Sequence, residues 1–251
     1  MRRFWLPEGA KQESQFVIEG DSFKHICGVC RMEEGAHFEI IIGDGMAYFV
    51  ELKDVAKKVA IALIKEQREL PKIPQPYIHL YLSMPKMAKF EWIVEKAVEL
   101  GVKSITPVFS DFSFTKKKSL LVEKQKRLQK IIEGACQQSA RAEKLELNQG
   151  IDFDAMLDQI NQNPSTVGLF AYEGESKLGL KQALKAESYH NASEIALLVG
   201  SEGGFSQEEL EKCIENKLDP VSLGPQVLRV ETACVTLISV IKYEMELFDW
   251  T

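Results

Sequence analysis

Three prolines fall within six residues, at Pro71, Pro74 and Pro76, in the stretch "LPKIPQP". Proline has no backbone donor and a fixed φ, so neither a helix nor a central strand continues through it. The stretch predicts a stiff linker between two differently patterned regions. Before it, short apolar runs alternate with turn signals: "SQFVIEG", "AHFEIIIGDG", "MAYFVELKDV" and "KVAIALIKEQ". The "GDG" at Gly43–Gly45 lies between two such runs and reads as a hairpin turn. Closely spaced short strands predict a small β-barrel over residues 1–72.

After the prolines, over residues 73–251, strand-like and helical runs alternate. "YIHLYLSMP" reads as a buried strand, and "KFEWIVEKAVELG" sets Phe90, Ile93, Val94, Ala97 and Val98 on one helical face before Gly101. "SITPVF", "TVGLFAY", "EIALLVG" and "VSLG" read as further strands. Helices are expected from about Ser119 to Arg141, around Lys181 to Ala186, over "SQEELEKCIENK" and from about Arg229 to Glu246. Such alternation predicts a mostly parallel α/β sheet.

With 45% hydrophobic and 27% charged residues, the chain can bury an ordinary globular core. No apolar run approaches the ~18 residues that span a bilayer. The start "MRRFWLPEGA" lacks the apolar segment of a secretory leader. Five cysteines, an odd number, do not make a disulfide framework. A cytoplasmic protein with no membrane partner is expected. Cys27 and Cys30 have C-x-x-C spacing but no second pair, so they read as small core hydrophobes and no metal site is expected. A net charge of −6 argues against nucleic-acid binding by bulk charge but leaves room for a local basic face. Arg2, Arg3 and the run Lys116, Lys117, Lys118, Lys124, Lys126, Arg127 and Lys130 could form one, although such a run also makes an ordinary solvated helix surface.

Three consecutive strands end in unusual loops: "AYEGES", "GSEGGFS" and "LGPQVLR". In open parallel sheets ligands lie outside the carboxyl ends of strands, and glycine lets backbone approach them closely. "FSQEEL" carries a capping box, Ser206 with Glu209, so a helix starts directly after the second loop. Neither G-x-G-x-x-G nor G-K-[ST] is present, and Glu202, Glu208, Glu209 and Glu211 would repel a polyphosphate. The pattern suits a ligand that is cationic or rich in hydroxyls and amides, and S-adenosylmethionine is of that kind. One such loop alone could be a plain turn before a capped helix; three in series point to a ligand.

"LLVGSEGGFSQEEL" followed by "VSLGPQVLRVETACVTLISVI" resembles the paired C-terminal signatures of RsmE-type methyltransferases, members of the SPOUT superfamily that methylate uridine N3 in bacterial small-subunit ribosomal RNA. "FEWIVEKAVELGVKSITPVFS" and "RLQKIIEGACQQSAR" resemble two further signatures, and "MRRFW" with "FKHICGVCRMEEG" resembles the N-terminal PUA-type RNA-binding domain. The resemblance implies a SPOUT methyltransferase domain with a parallel sheet and a C-terminal trefoil knot over 73–251, after a PUA-like β-barrel domain over 1–72. It implies S-adenosylmethionine held by Leu198, Gly200, Glu202, Gly203, Gly204, Leu223, Gly224 and Leu228, and a homodimer involving the closing helix. The RNA partner would be small-subunit ribosomal RNA or the assembled 30S subunit, with Arg2, Arg3, His25, Arg31 and Lys86 as candidate contacts.

Methylating uridine N3 requires stabilising the negative charge that spreads onto O2 and O4 when the proton leaves. Arg229 and Arg141 are the candidates for that role and Glu231 for the base, although Arg141 and Glu231 also sit where a helix terminus favours their charge. Three residues depart from the family pattern. Ser201 replaces a usual proline and is expected to loosen its loop; Gln226 replaces an arginine, and Phe112 a cation. Methylation of another RNA nucleotide, or RNA binding in ribosome assembly without catalysis, remain open at this level.

Overall fold

The structure, a computed structural model, describes residues 1–174 and 178–248, so Glu175 and Ser176 of the first loop lie outside the described residues. The chain divides into two compact units, Met1–Lys72 with Glu133–Lys144, and Ile73–Ile132 with Leu145–Thr251. The segment Glu133–Lys144 thus joins the first unit, although it lies far beyond the prolines in sequence.

The first unit contains β1 (Arg3–Trp5), β2 (Lys11–Gln12), β3 (Gln15–Glu19), α1 (Gly20–Phe23), β4 (His37–Ile41), β5 (Met46–Val55) and β6 (Val59–Glu69). Its strands form one sheet in the order β1-β4-β5-β6-β3-β2, in which only β1 and β4 pair in parallel. The expected barrel is a half-barrel, bent where the long β5–β6 hairpin shifts register between Phe49 and Val50 and between Leu52 and Asp54. Alternation along the strands buries Phe16, Ile18, Phe38, Ile40, Tyr48, Val50, Leu52, Ala60 and Ala62, with Cys27 and Cys30 packed at the edge of that core. The β4–β5 turn needs glycine: Gly43 has φ +91°, and a Cβ there would lie 3.2 Å from the Trp5 ring.

One charged group is buried in this sheet. Glu39 of β4, 5% exposed, accepts from Arg3 on β1 and from Arg68 on β6 at 2.9 Å. Burial alone would raise the Glu39 carboxyl, but hydrogen bonds and charge from both guanidinium groups outweigh it and hold its pKa below the ordinary carboxylate value.

The second unit contains β7 (Tyr77–Ser83), α2 (Met87–Glu99), β8 (Ser104–Phe109), α3 (Ser119–Ser139), β9 (Glu146–Leu147), β10 (Ile151–Asp152), α4 (Phe153–Asn161), β11 (Thr166–Ala171), α5 (Leu180–Ala183), α6 (Glu187–His190), β12 (Glu194–Val199), α7 (Gln207–Glu215), β13 (Leu218–Val221) and α8 (Val230–Glu244), with α3 running on into the Glu133–Lys144 segment. Every strand pairing is parallel, in the order β10-β8-β7-β12-β11-β13 with β9 beside β8. Parallel sheets are covered on both faces, which is why β8 is buried at all six positions and β12 at five. Helix α2 buries Phe90, Ile93, Val94, Ala97 and Val98, the face read from the sequence, and Gly101 ends it at φ +74°.

Several elements differ from the sequence reading, the short strands β9 and β10 among them. The last strand covers Leu218–Val221 rather than "VSLG", and its Pro220 is tolerated because β13 is an edge strand. The helix expected around Lys181 to Ala186 is two short helices, parted where Ala186 is extended, ψ 138°. That break lets Tyr189 be buried with its hydroxyl donating to Asp219 at 2.8 Å. Helix α4 was not anticipated, although Phe153, Met156, Leu157 and Ile160 follow helical spacing.

Glu39→Gln should lower stability against urea at neutral pH by on the order of 2 kcal/mol, the scale of hydrogen bonds to charged groups. The folded pKa is depressed, so this contribution is present above the unfolded value of about 4.3 and lost as pH falls through the folded one. The gap between wild type and E39Q should therefore close in acid. An undiminished gap at the lowest pH where both fold would overturn this account.

Candidate functional site

The loops after β11, β12 and β13 converge with the start of α8 and Lys89 of α2 around a cavity of about 320 Å³. The first loop contributes Ala171, Tyr172 and Glu173, and the second Val199 to Glu202 with Gly204 and Phe205. The third contributes Leu223 to Arg229, and Val230 and Ala233 of α8 close the wall. This is the carboxyl end of a parallel sheet, where strand ends leave backbone groups free for a ligand.

The second loop is a closed turn. Gly204 N–H donates to the Ser201 carbonyl at 3.0 Å, and the two residues form an antiparallel bridge. Gly204 has φ +70°, and a Cβ on Gly200 would lie 3.1 Å from the Gly204 Cα, so the arms of the turn touch backbone to backbone. In the third loop, Gly224 has φ +110°.

Two buried or tethered polar groups fix the turn. The capping box of α7 is formed: Ser206 Oγ accepts from Glu209 N–H at 3.3 Å, and Glu209 accepts from Ser206 N–H at 3.0 Å. The other Glu209 oxygen accepts from Asp111 N–H at 2.8 Å, while Ser206 Oγ donates to Asp111 at 2.6 Å. Ser201 Oγ donates to the Phe112 carbonyl. Serine here therefore ties the loop to residues 110–114 instead of loosening it, because it supplies a donor that proline lacks.

Charge around the cavity is organised by Lys89, whose Nζ lies 3.3 Å from both Glu202 and Glu231. Desolvation would lower the Lys89 pKa, but hydrogen bonds to the two carboxylates outweigh it and raise it. Burial would raise Glu202, yet backbone N–H groups, including that of Lys86 at 3.4 Å, and the Lys89 ammonium hold it below the usual carboxylate value. Arg229, the N-cap residue of α8, is exposed, lines the cavity and has no ion-pair partner among the described residues.

Of the residues singled out from the sequence, Gly200, Glu202, Gly204, Leu223, Gly224, Leu228 and Arg229 line the cavity. Leu198 lies in the core beneath it with Tyr81 and Phe170. Gly203 faces the other way, where a Cβ would come within 2.9 Å of Phe112 Cβ. Glu231 stands behind Lys89 in the first turn of α8, and Gln226 is exposed on the rim. Lys86 is exposed, with Nζ 5.4 Å from the centre of the Phe114 ring. Arg141 belongs to the first unit and is 7% exposed. Also in that unit, Arg2, His25 and Arg31 are exposed, Arg2 donating to the Cys30 carbonyl at 3.0 Å, whereas Arg3 is engaged by Glu39. Sequence reasoning missed Lys89, and it named Tyr172, Glu173 and Phe205 only as parts of their loops. A lysine in the first turn of α2, where the helix dipole disfavours a cation, was the available sign that Lys89 has acidic partners.

Residues 71–242 match the model of the RNA methyltransferase domain, and residues 18–65 that of the RNA methyltransferase PUA domain. The chain is 33% identical to ribosomal RNA small subunit methyltransferase E of Bacillus subtilis, covering 98% of both chains. Among solved structures it resembles a ribosomal RNA small subunit methyltransferase E from Neisseria gonorrhoeae bound to S-adenosyl methionine, at 25% identity, TM-score 0.84 and 97% coverage of each chain. It also resembles a methyltransferase from Legionella pneumophila in complex with the same cofactor, at 28% identity, TM-score 0.83 and 96% coverage of each.

The Ser201–Gly204 turn has no room for a side chain at Gly200. Gly200→Ala should destabilise the fold by about 1–3 kcal/mol, as overpacking does, measured by urea unfolding. A variant as stable as wild type would show that the turn can open without cost.

Proposed function

The chain belongs to the RNA methyltransferase family, and from that premise we propose that it methylates N3 of a uridine in small-subunit ribosomal RNA. It is an S-adenosylmethionine-dependent ribosomal RNA methyltransferase. The cavity suits that cofactor. Its Glu173 and Glu202 carboxylates favour a cationic ligand, Val199, Leu223, Leu228 and Ala233 offer apolar wall to a base, and the glycine turns present backbone donors and acceptors. Gly200, Glu202, Gly204, Leu223, Gly224 and Leu228 would hold it, with Leu198 and Gly203 shaping the loop from behind.

Bound there, the cofactor supplies an electrophilic methyl group on a sulfonium centre. The chain's own task is to align the uracil ring and to stabilise the charge it acquires as the N3 proton leaves. We assign the second part to Arg229, and one observation carries the assignment. Lys89 is neutralised by two carboxylates, whereas Arg229 lines the cavity with no such partner among the described residues. The amino end of α8 adds positive potential at the same place. Glu231, engaged by Lys89, is assigned to positioning that lysine rather than to removing the proton.

The first unit, matched by the PUA domain, would bind RNA through exposed Arg2, His25 and Arg31, with Arg3 held in the sheet by Glu39. The trefoil knot and the homodimer belong to the same proposal. Supporting them, β12 inserts between β7 and β11 before the chain returns outside β11 as β13, and Tyr243 near the end of α8 is 75% exposed. A cytoplasmic location agrees with the absence, among the described residues, of any helix long and apolar enough to cross a membrane.

The test is methyl transfer to free small-subunit ribosomal RNA and to assembled 30S particles, with the product mapped by mass spectrometry. Methyl at N3 of one uridine is expected; methyl on another atom overturns the position, and no transfer to either substrate overturns the activity. Arg229→Ala should lower kcat by ~10²–10³-fold, as loss of a preorganised donor does, with cofactor affinity little changed. Arg229→Lys should recover only part, because lysine lacks the planar fork. If alanine weakened cofactor binding and spared kcat, Arg229 would be a cofactor residue and Arg141 the candidate to test next.

A further inference from the structure

Beside the cavity, residues 110–114 carry a pair of aromatic side chains in an unusual state. Phe112 is 50% exposed and Phe114 62%, on a segment tied by hydrogen bonds to neighbouring elements of the second unit. Ser110 N–H donates to Ser113 Oγ at 2.9 Å, Asp111 N–H to Glu209 at 2.8 Å and Phe114 N–H to the Met84 carbonyl at 2.8 Å. Ser113 Oγ donates to the Val108 carbonyl at 3.2 Å, and the Phe112 carbonyl accepts from Ser201. A segment so anchored could have turned its apolar rings inward; instead the backbone is tied down and the rings face water. Exposed apolar surface on a rigid mount marks a binding surface.

Its surroundings specify the partner. Lys86 lies over the Phe114 ring, and exposed Lys116, Lys117 and Lys118 follow directly in the chain. Of these, Lys117 has no ion-pair partner among the described residues, while Lys116 and Lys118 face Asp111 and Asp152 at 3.9 and 2.8 Å. Flat aromatic rings beside ammonium groups match an unpaired nucleotide, whose base stacks while its phosphate meets the cation. The mount is continuous with the cavity: Phe112 Cβ packs against Gly203, and its carbonyl is held by cavity-lining Ser201.

We propose that Phe112 and Phe114 form a stacking platform for unpaired RNA bases next to the target nucleotide, with Lys86 and Lys117 facing the phosphates. The proposal rests on the RNA-methyltransferase reading and adds to it the form in which the RNA is held. Aromatic stacking is indifferent to base identity, so the platform would select a single-stranded conformation rather than a sequence.

The test uses the full chain with a short single-stranded oligoribonucleotide containing 2-aminopurine, alongside the same sequence as a duplex. Wild type should quench 2-aminopurine fluorescence in the single strand and bind the duplex at least several-fold more weakly. Phe112→Ala keeps the Cβ that touches Gly203, so S-adenosylmethionine affinity by calorimetry should be unchanged. RNA affinity should fall roughly tenfold with loss of quenching, the scale of one base–aromatic stack. Phe112→Trp should restore both readouts and Phe112→Leu neither. Phe114→Ala, which lacks the contact with Gly203, provides a second variant and should act in the same direction. Equal recovery by leucine and tryptophan overturns stacking in favour of generic apolar contact. Loss of cofactor affinity in Phe112→Ala makes the residue a prop for the loop and overturns the platform. If wild type binds RNA and methylates it while Phe112→Ala and Phe114→Ala match it, the platform alone is wrong; if wild type transfers no methyl to ribosomal RNA, the underlying reading fails instead.

Discussion

A carboxylate buried to 4% exposure needs donors on both oxygens, and Glu209 finds them on two different segments. Ser206 N–H closes the capping box of α7, and Asp111 N–H fastens residues 110–114 to the same helix start. The end of β12, the beginning of α7 and the loop after β8 thereby share one fixed point. The Ser201–Gly204 bridge, the Ser201 contact with Phe112 and the seat of Phe112 on Gly203 are built around it. That junction adds to the Lys86 and Lys89 contacts that hold Glu202 of the same turn.

The second organising feature is electrostatic. Three carboxylates, from Glu173, Glu202 and Glu231, and two cations, from Lys89 and Arg229, gather around the cavity and the start of α8. Lys89 sits between Glu202 and Glu231 and is satisfied by them, so it orders the wall rather than presenting free charge. What remains is a carboxylate-lined interior suited to a cationic cofactor and a single arginine at the rim suited to an anion forming on the substrate. Proton loss leaves negative charge on the uracil ring, and methyl transfer then discharges it together with the positive charge of the sulfonium, so the two need separate sites until they react.

Two residues singled out in the sequence meet each other in the structure: Ser201 donates to the carbonyl of Phe112. Proline could not make that bond, and glycine at position 203 leaves the room that the Phe112 Cβ occupies. The pair acts as one local unit, in which the Ser201 hydroxyl fixes the backbone that carries the Phe112 ring.

Much of the architecture was legible in the sequence, because it depends on local chemistry and periodicity. The spacing from Phe90 to Val98 gave the buried face of α2, and the capping box placed the start of α7, whereas nothing local signalled that Glu133–Lys144 would group with the first unit. The three loops that line the cavity were found because a parallel sheet puts its loops at one end. What remained hidden depended on partners distant in the chain. Gly203 and Gly204 are adjacent and chemically identical, yet one faces Phe112 and the other the cavity, a difference set by backbone direction after β12. Arg3 looked like a free basic contact until Glu39, thirty-six residues away, engaged it. Helix boundaries failed at Ala186, where burial of Tyr189 overrode local helical preference, and at β13, where an edge position made Pro220 acceptable. Sequence by itself determined most of the strands, the long helices and the ligand-side loops, since propensity, capping and hydrophobic period act within a few residues, but not α4 or the bounds of β13. Only the tertiary structure decided which charges are spent on one another and which face the cavity, because ion pairing and burial act across contacts that the order of residues does not display.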